Sequence, residues 1–345
     1  MEKKTINWGV IGCGRIAREV FNDAVLGSKT GELYAIASRS IEKAQEIKNQ
    51  FGFQKAYGSY NALLNDKKVD VVYIALPNNY HAEWAIAAAN AGKHILCEKP
   101  ATMNAAECEK VVAAAEKAGV FFLENYSFRF HPQSFKLRQL LDKGVIGEVI
   151  SVDESMHFKV RNLLRISKEN IRLKLNMGGG VAMDAACYMI AFSRFVFNRE
   201  PVSVLAYGDL NPQLKIDMTS NGILDFENGR TATFTTSYET PGGQSAHIFG
   251  ANGEIFLSAP LHPRKYEDTI IVKKIVPAAK GWRDEYEEEI IHSQLVEPFI
   301  SIIDYLGESI LNGNTYLLYS KDAVCNMKVL DACIKSAREG CRIWL

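Results

Sequence analysis

Ile6-Asn7-Trp8-Gly9-Val10-Ile11-Gly12-Cys13-Gly14-Arg15-Ile16-Ala17 is an apolar run that breaks into closely spaced glycines. The run reads as a buried strand, and the periodicity from Arg15 to Leu26 reads as a helix. Between them Gly12, Gly14 and Ala17 fit G-x-G-x-x-A. Gly12 permits the tight turn, Gly14 lets a pyrophosphate approach bare backbone, and Ala17 lets the helix pack closely on the strand. Cys13 lies in the turn, and Arg15 and Ile16 start a helix whose N-terminus would face the phosphates. Taken alone, such glycines also fit an incidental turn or a methyltransferase loop. The strand before and the helix after favour a dinucleotide-binding start.

The alternation continues outward. Strands are expected at Leu33–Ala37, Lys55–Tyr57, Val69–Leu76, His94–Cys97 and Val120–Leu123, and helices at Ile41–Phe51, Ala82–Ala91 and Asn104–Lys117. Strands alternating with helices predict right-handed βαβ units on a parallel, doubly wound sheet: a Rossmann-type α/β domain over residues 1–125. Beyond it the pattern changes. Val149–Val160 alternates, and strand-like runs flank Asn228-Gly229 and Asn252-Gly253, which are hairpin signals. A further strand is expected at Asp268–Val276, with helices at Ser134–Leu141, Val181–Phe197, Val296–Leu306 and Asp322–Arg338. Residues 126–345 therefore read as an α+β domain with a large, mostly antiparallel open sheet, suited to substrate binding and oligomerisation.

Composition narrows the function classes. Lysine plus arginine and aspartate plus glutamate balance at 40 each, so no basic excess points to nucleic acid and no polybasic run to a membrane surface. No signal peptide or membrane-length apolar run is read. The seven cysteines are odd in number and irregularly spaced, which points to reduced thiols in a cytoplasm. The histidines form no ligand cluster, and no metal is expected.

Three segments refine the cofactor site. NAD-using domains place an acid at the end of the second strand to hold the ribose hydroxyls. Here Ser38-Arg39-Ser40 stands in its place, with Lys43 one helical turn on. A guanidinium can pair with a 2′-phosphate and stack on adenine, so NADP is expected, with NAD as the alternative. Leu76-Pro77-Asn78-Asn79-Tyr80-His81 follows the fourth strand and should lie along the cofactor, with Asn78 or Asn79 capping the next helix. His81 reads more readily as part of that cap than as a catalytic group. Glu98-Lys99-Pro100 follows the fifth strand, so the charged Lys99 lies just past a strand's carboxyl end, where ligands bind in open parallel sheets.

These motifs together resemble the glucose-fructose oxidoreductase / inositol dehydrogenase (Gfo/Idh/MocA) family. The resemblance extends through Glu124–Pro132, Gly144–Val149 and Gly178-Gly179-Gly180-Val181-Ala182-Met183-Asp184, followed by Tyr188. Many members read Gly-Gly-Gly-x-x-x-Asp-x-Gly-x-His in the last segment. This sequence has Ala186 for the glycine and Tyr188 for the histidine, as in the branch containing dihydrodiol dehydrogenase and NADP-linked D-xylose 1-dehydrogenase. The resemblance implies a hydride exchanged between nicotinamide and a hydroxyl-bearing carbon of a sugar, polyol or trans-dihydrodiol.

The implied catalytic residues are Lys99, Asp184 and Tyr188. Tyr188 takes the hydroxyl proton, and a Lys99 ammonium favours its phenolate and donates to the substrate oxygen. Asp184, four residues earlier on one helix face, orients substrate or Lys99. Tyr126, Arg129 and His157 are candidate substrate contacts; for His131 and His157 structural roles fit at least as well. The family also suggests a cis Lys99-Pro100 bond and a homodimer or homotetramer. Two other readings stay open: an NAD-linked inositol-type dehydrogenase, and a non-catalytic nucleotide-binding sensor.

Overall fold

The six residues Ile6–Ile11 form the first strand, β1, and the parallel sheet built around it has the order β3-β2-β1-β4-β5-β6. The computed structural model describes residues 5–159, 170–263, 269–276, 285–314, 319 and 321–345. Val160 and Asp268, ends of two expected strands, lie outside the described residues. The chain divides into two compact units: Met1–Ser127 with Phe299–Met327, and Phe128–Pro298 with Lys328–Leu345.

In the first unit the strands are β2 (Gly31–Ala37), β3 (Lys55–Tyr57), β4 (Val71–Ile74), β5 (His94–Cys97) and β6 (Phe122–Glu124). This is the doubly wound Rossmann arrangement, and its chain reverses direction across the sheet between β1 and β4. The apolar run at 69–76 yields a strand of only four residues, because those four alone find partners in both neighbours. The helical segment after the glycine turn passes through a π turn, Ala17–Phe21, into α1 (Asn22–Gly27). Phe21 stacks on Tyr73 at 3.8 Å between ring centroids, and Trp8 meets Phe21 edge-on. These fully buried rings form the core between helix and sheet. Helix α2 (Ile41–Phe51) is capped by Ser40, whose hydroxyl accepts from the Lys43 amide.

The helices α3 (Tyr60–Leu64), α4 (His81–Asn90) and α5 (Ala105–Ala118) complete the first 127 residues. Neither Asn78 nor Asn79 caps α4. Asn78–Tyr80 is a tight 3₁₀ turn, and no side chain caps the helix that follows. The turn brings the chain in already wound, leaving no extended residue in the position an asparagine cap requires.

Residues 299–327 return to this unit, which the linear division into 1–125 and 126–345 does not contain. Asp304 Oδ1 accepts from the Lys29 amide at 2.8 Å and from the Thr30 amide and hydroxyl. Asn326 Nδ2 donates to the Tyr126 hydroxyl at 2.9 Å.

The second unit holds a nine-stranded sheet, ordered β14-β13-β12-β11-β7-β10-β9-β8-β15. Its strands are β7 (Val149–His157), β8 (Ser203–Leu210), β9 (Asp217–Asp225), β10 (Thr231–Ser237), β11 (Gln244–Gly250), β12 (Gly253–Leu257), β13 (Thr269–Val276), β14 (Glu285–His292) and β15 (Ile343–Trp344). Every described pairing is antiparallel except that of β7 with β10. Both expected hairpins form. At the first, Glu227, Asn228 and Gly229 all adopt positive φ. At the second, Gly253 already belongs to β12, and a Cβ there would strike the Lys273 carbonyl. That glycine serves strand contact rather than the turn.

Helix α6 (Pro132–Asp142) begins at His131, whose Nδ1 accepts from the Gln133 amide. A second π turn, Ala182–Ala186, leads into α7 (Cys187–Phe197). Residues 175–197 are long and apolar enough to cross a membrane by composition, but most of that stretch is buried inside the protein, as the core helix of a folded domain requires.

On the side of the sheet facing α7, Glu154 is 4% exposed, and its Oε1 accepts from the Ser193 hydroxyl at 2.5 Å. Burial pushes its pKa well above the ordinary range, against the pull of that hydroxyl. The folded state therefore holds a proton that the unfolded chain releases above roughly pH 4.3. From that pH upward toward the folded pKa, stability falls as pH rises. Glu154→Gln is expected to melt close to wild type near pH 5 and a few degrees higher at pH 8, as read by thermal unfolding across that range.

Candidate active site

At the carboxyl edge of the parallel sheet, hydrogen bonds continue past the strand ends. The Gly12 amide donates to the Ala37 carbonyl, Ala75 to Ile11, Glu98 to Ile74 and Asn125 to Cys97. The four loops carrying Gly12–Ile16, Ser38–Ser40, Leu76–Pro77 and Glu98–Lys99 are thereby set along one edge. Gly12 has φ +103°, and a Cβ on it would lie 2.6 Å from the Ala75 carbonyl oxygen. Only glycine fits there. Gly14 differs: its Cβ would meet nothing nearer than 3.7 Å, so packing does not demand glycine and what the residue offers is exposed backbone. Arg15 and Ile16 are also exposed, and the Arg18 amide closes the first helical turn on the Gly14 carbonyl.

Cys13 joins this turn to the end of β2. Burial raises its thiol pKa, opposed by a hydrogen bond with Ser38 and by the charges of Lys43 and Arg18, with Glu46 adding to the rise. Cations thus gather at the glycine turn. Arg39 and Lys43 are exposed, and the Arg39 charge pulls on the neighbouring Tyr60 phenol, whose pKa burial raises. The nearest acid on α2, Glu42, accepts from the Ser40 hydroxyl at 2.7 Å. A bare-backbone turn at a helix start, flanked by cations and an acid-free strand end, suits a dinucleotide's phosphates.

His81 takes another place than the cofactor contact expected of it. Fully buried, it sets Nε2 2.8 Å from the Leu76 carbonyl oxygen and Nδ1 2.9 Å from that of Pro100. Burial lowers its pKa against these two carbonyls. The ring ties the loop after β4 to the loop after β5 and has no edge left for a ligand. The Lys99-Pro100 bond is cis. Beside it, the Glu98 carboxylate accepts from the Tyr73 hydroxyl at 2.5 Å and from Asn125 Nδ2 at 2.6 Å. The Lys99 backbone is therefore held on both sides, by Glu98 and by Pro100.

In the second unit, the glycine run 178–180 folds tightly ahead of the helix carrying Asp184 and Tyr188. Gly178 and Gly180 have positive φ. A Cβ on Gly179 would press on the Arg172 carbonyl at 2.6 Å, and one on Gly180 would strike the Asp217 carboxylate. Asp217 accepts from the Ala182 amide at 2.6 Å and so caps the helix start. Asp184 Oδ2 accepts from Arg172 Nε at 2.7 Å and from the Tyr238 hydroxyl at 3.1 Å. Tyr188 is 6% exposed, and its ring packs edge-on against His262 at 4.6 Å between centroids. Gln244 fixes that histidine's backbone, accepting from the Leu261 and His262 amides and donating to the His262 carbonyl.

Of the remaining candidates, Tyr126, Arg129 and His131 are buried. Tyr126 is 1% exposed, with its hydroxyl accepting from Asn326. Arg129 is 3% exposed and donates to the Ala191 carbonyl. His131 Nε2 lies 3.0 Å from the Val296 carbonyl oxygen, which fits its structural reading. His157, half-buried, pairs through Nδ1 with the Thr240 hydroxyl.

Arg172, Tyr238, Asp217 and His262 were not read from the sequence. They come from four separate segments and meet only through the fold. A depression of 730 Å³ on the sheet face bearing Asp153, Tyr207 and Thr233 holds none of the residues expected at the site.

The two glycines of the first turn make opposite predictions. Gly12→Ala should lower the melting temperature by several degrees and weaken binding of NADPH. Gly14→Ala should leave the melting temperature within about a degree of wild type yet still weaken NADPH binding. Thermal unfolding paired with NADPH fluorescence titration measures both.

Comparison with known proteins agrees with this fold. Residues 6–126 match the model of an oxidoreductase family with an NAD-binding Rossmann fold, and residues 135–256 match the GFO/IDH/MocA C-terminal domain. The chain is 30% identical to a D-xylose 1-dehydrogenase (NADP(+)) of Haloferax volcanii over 340 residues, 98% of this chain and 99% of that one. It is 33% identical to a trans-1,2-dihydrobenzene-1,2-diol dehydrogenase of Xenopus tropicalis over 251 residues, 72% of this chain and 74% of that one. Among solved structures, a 3-ketoreductase of Actinomadura kijaniata in complex with NADP and TDP-benzene superposes with a TM-score of 0.84 at 27% identity, covering 96% of this chain and 98% of the other.

Proposed function

Because the chain belongs to the Gfo/Idh/MocA family of NAD(P)-dependent oxidoreductases, we propose that it is an NADP-linked dehydrogenase or reductase acting on a hydroxyl-bearing carbon of an aldose, polyol or trans-dihydrodiol. One observation carries this reading. The glycine turn and Glu98-Lys99 lie on the same carboxyl edge of one parallel sheet, held there by the backbone bonds that run past β1, β4 and β5. A binder needs only the turn; a charged acid-base side chain on that edge adds chemistry.

The bound nicotinamide would supply the hydride acceptor or donor. Gly12, Gly14, Arg15 and Ile16 would hold the pyrophosphate, and Leu76-Pro77 would line the cofactor. Arg39, with Ser38 and Lys43, would hold a 2′-phosphate. The absence of an acid at the end of β2 and the engagement of Glu42 by Ser40 support NADP over NAD. The NADP named for two of the similar proteins points the same way.

Tyr188 is assigned the proton of the substrate hydroxyl, and Lys99 the stabilisation of charge on the substrate oxygen. Asp184 is assigned to orientation. A homodimer is proposed, formed through the open face of the nine-stranded sheet, where Leu205, Tyr207 and Ile223 are exposed.

The test is a panel of aldoses, polyols and a trans-dihydrodiol with NADP+ and NAD+, followed by absorbance of the reduced nicotinamide. Turnover with NADP+ is expected, and none across the panel would overturn the reading. Tyr188→Phe and Lys99→Met should each lower kcat by roughly 10²–10⁴-fold with NADPH affinity retained. Arg39→Asp should weaken NADPH binding by roughly tenfold or more, one lost charge-assisted contact, and leave NADH binding nearly unchanged; equal losses for both nucleotides would remove the argument for a phosphate pocket.

A further inference from the structure

Among the residues assigned to chemistry, Asp184 has a carboxylate held by two described side chains. Arg172 Nε and the Tyr238 hydroxyl converge on the same oxygen, Oδ2. The hydroxyl also reaches the Gly180 carbonyl at 3.1 Å, so it spans the glycine turn and the acid that follows it. Tyr238 lies just beyond β10, and its ring is buried among Leu173, Val181, Ala185, Ile216 and Met218, with Phe158 against it. The ring thus anchors in an apolar cluster, and its one polar atom is directed at Asp184 and Gly180. Arg172 comes from a separate short turn, Ile171–Leu173, whose amide at 172 is held by Asn170.

We propose that Arg172 and Tyr238 are positioning residues that keep the Asp184 carboxylate ionised and fixed, so that Asp184 supplies charge and orientation while the proton moves through Tyr188. This rests on the reading of the site given above. A general acid or base must change protonation near its working pH. An oxygen that accepts from a guanidinium and a phenol together is stabilised as the anion.

Among the described residues, the charged and titratable groups about Asp184 include Arg172, Tyr238, Asp217 at the helix start, and Tyr188 one turn on with His262 against it. The Arg172 guanidinium, drawn by the Asp184 charge, is held more firmly protonated than usual. Burial, with the Asp184 charge adding to it, keeps the Tyr238 phenol protonated and therefore a donor.

The experiment uses the full chain with the panel substrate showing the highest turnover, and Tyr238→Phe, Arg172→Gln and Arg172→Lys. Tyr238→Phe keeps the buried ring and removes only the donor. NADPH affinity should match wild type in all three. Tyr238→Phe and Arg172→Gln should lower kcat by roughly tenfold or more, the scale of a misplaced group. Their kcat/KM profiles for oxidation should gain a second acid limb, beyond the one that Tyr188 as base gives wild type, as Asp184 begins to titrate. Arg172→Lys should recover most of the rate and remove that limb. Profiles and rates that superpose on wild type would overturn the inference.

A second measurement needs no turnover. Urea midpoints at pH 7 for Arg172→Gln, Asp184→Asn and the double variant should be non-additive, whereas additive midpoints overturn the clamp. A wild type inactive across the panel removes the proposed function; the urea cycle still decides whether Arg172 holds Asp184.

Discussion

The exit from β1 depends on a carbonyl oxygen that leaves no room for a side chain. With φ +103° and the Ala75 oxygen where a Cβ would sit, residue 12 has to be glycine. That close approach lets the chain leave β1 against β4, at the position where the sheet reverses its winding. The helix that follows brings Phe21 onto the face of Tyr73. Tyr73 then donates from the far end of its ring to Glu98. A chain of contacts therefore runs from the glycine turn through the aromatic core to the residue before Lys99. His81 closes a second circuit by joining the loops after β4 and β5. The loops of the carboxyl edge are thus bonded to one another and not only to the sheet.

The second unit repeats this construction with different parts. Glycine with positive φ precedes a π turn, which precedes an α-helix, just as in the first. At Gly12 a backbone carbonyl, and at Gly180 the Asp217 carboxylate, occupies the space that a Cβ would need. A π turn inserts an extra residue into the helical spiral and alters which side chains share a face; such turns are frequent at functional sites. Here each lies within a few residues of groups assigned to ligand or chemistry. The helix bearing Asp184 and Tyr188 is apolar nearly all round because it is buried nearly all round, which explains its membrane-like composition.

Much of the first unit was legible because its signals are local. β1, α2, β3 and β5 fall where periodicity and flanking residues place them. The capping of α4 was misjudged because a 3₁₀ turn uses the same residues an Asn cap would. In the second unit, β14 escaped notice: Glu-Tyr-Glu-Glu-Glu-Ile-Ile-His lacks alternation because an edge strand is exposed along most of its length. Its acids face lysines of β13, as Lys274 and Glu289 show at 3.4 Å. Charged edges of this kind discourage pairing with other chains. The glycine turns, Lys99, Asp184 and Tyr188 were legible as motifs. Arg172, Tyr238 and His262 carry no motif, since what recommends them is the company they keep in three dimensions. His81 was visible as a residue but not as a link, because its two carbonyl partners lie 5 and 19 positions away.

The return of residues 299–327 to the first unit bears on how the chain is made. A ribosome delivers residues 1–127 first, yet Asp304, which ties down the turn at Lys29 and Thr30, and Asn326, the partner of the buried Tyr126 hydroxyl, come near the end of the chain. During synthesis the turn at Lys29 and Thr30 and the Tyr126 hydroxyl go without these partners while the whole nine-stranded sheet except β15 is translated. Domains usually complete themselves in the order they emerge; here the first to begin cannot finish until the second has almost been made.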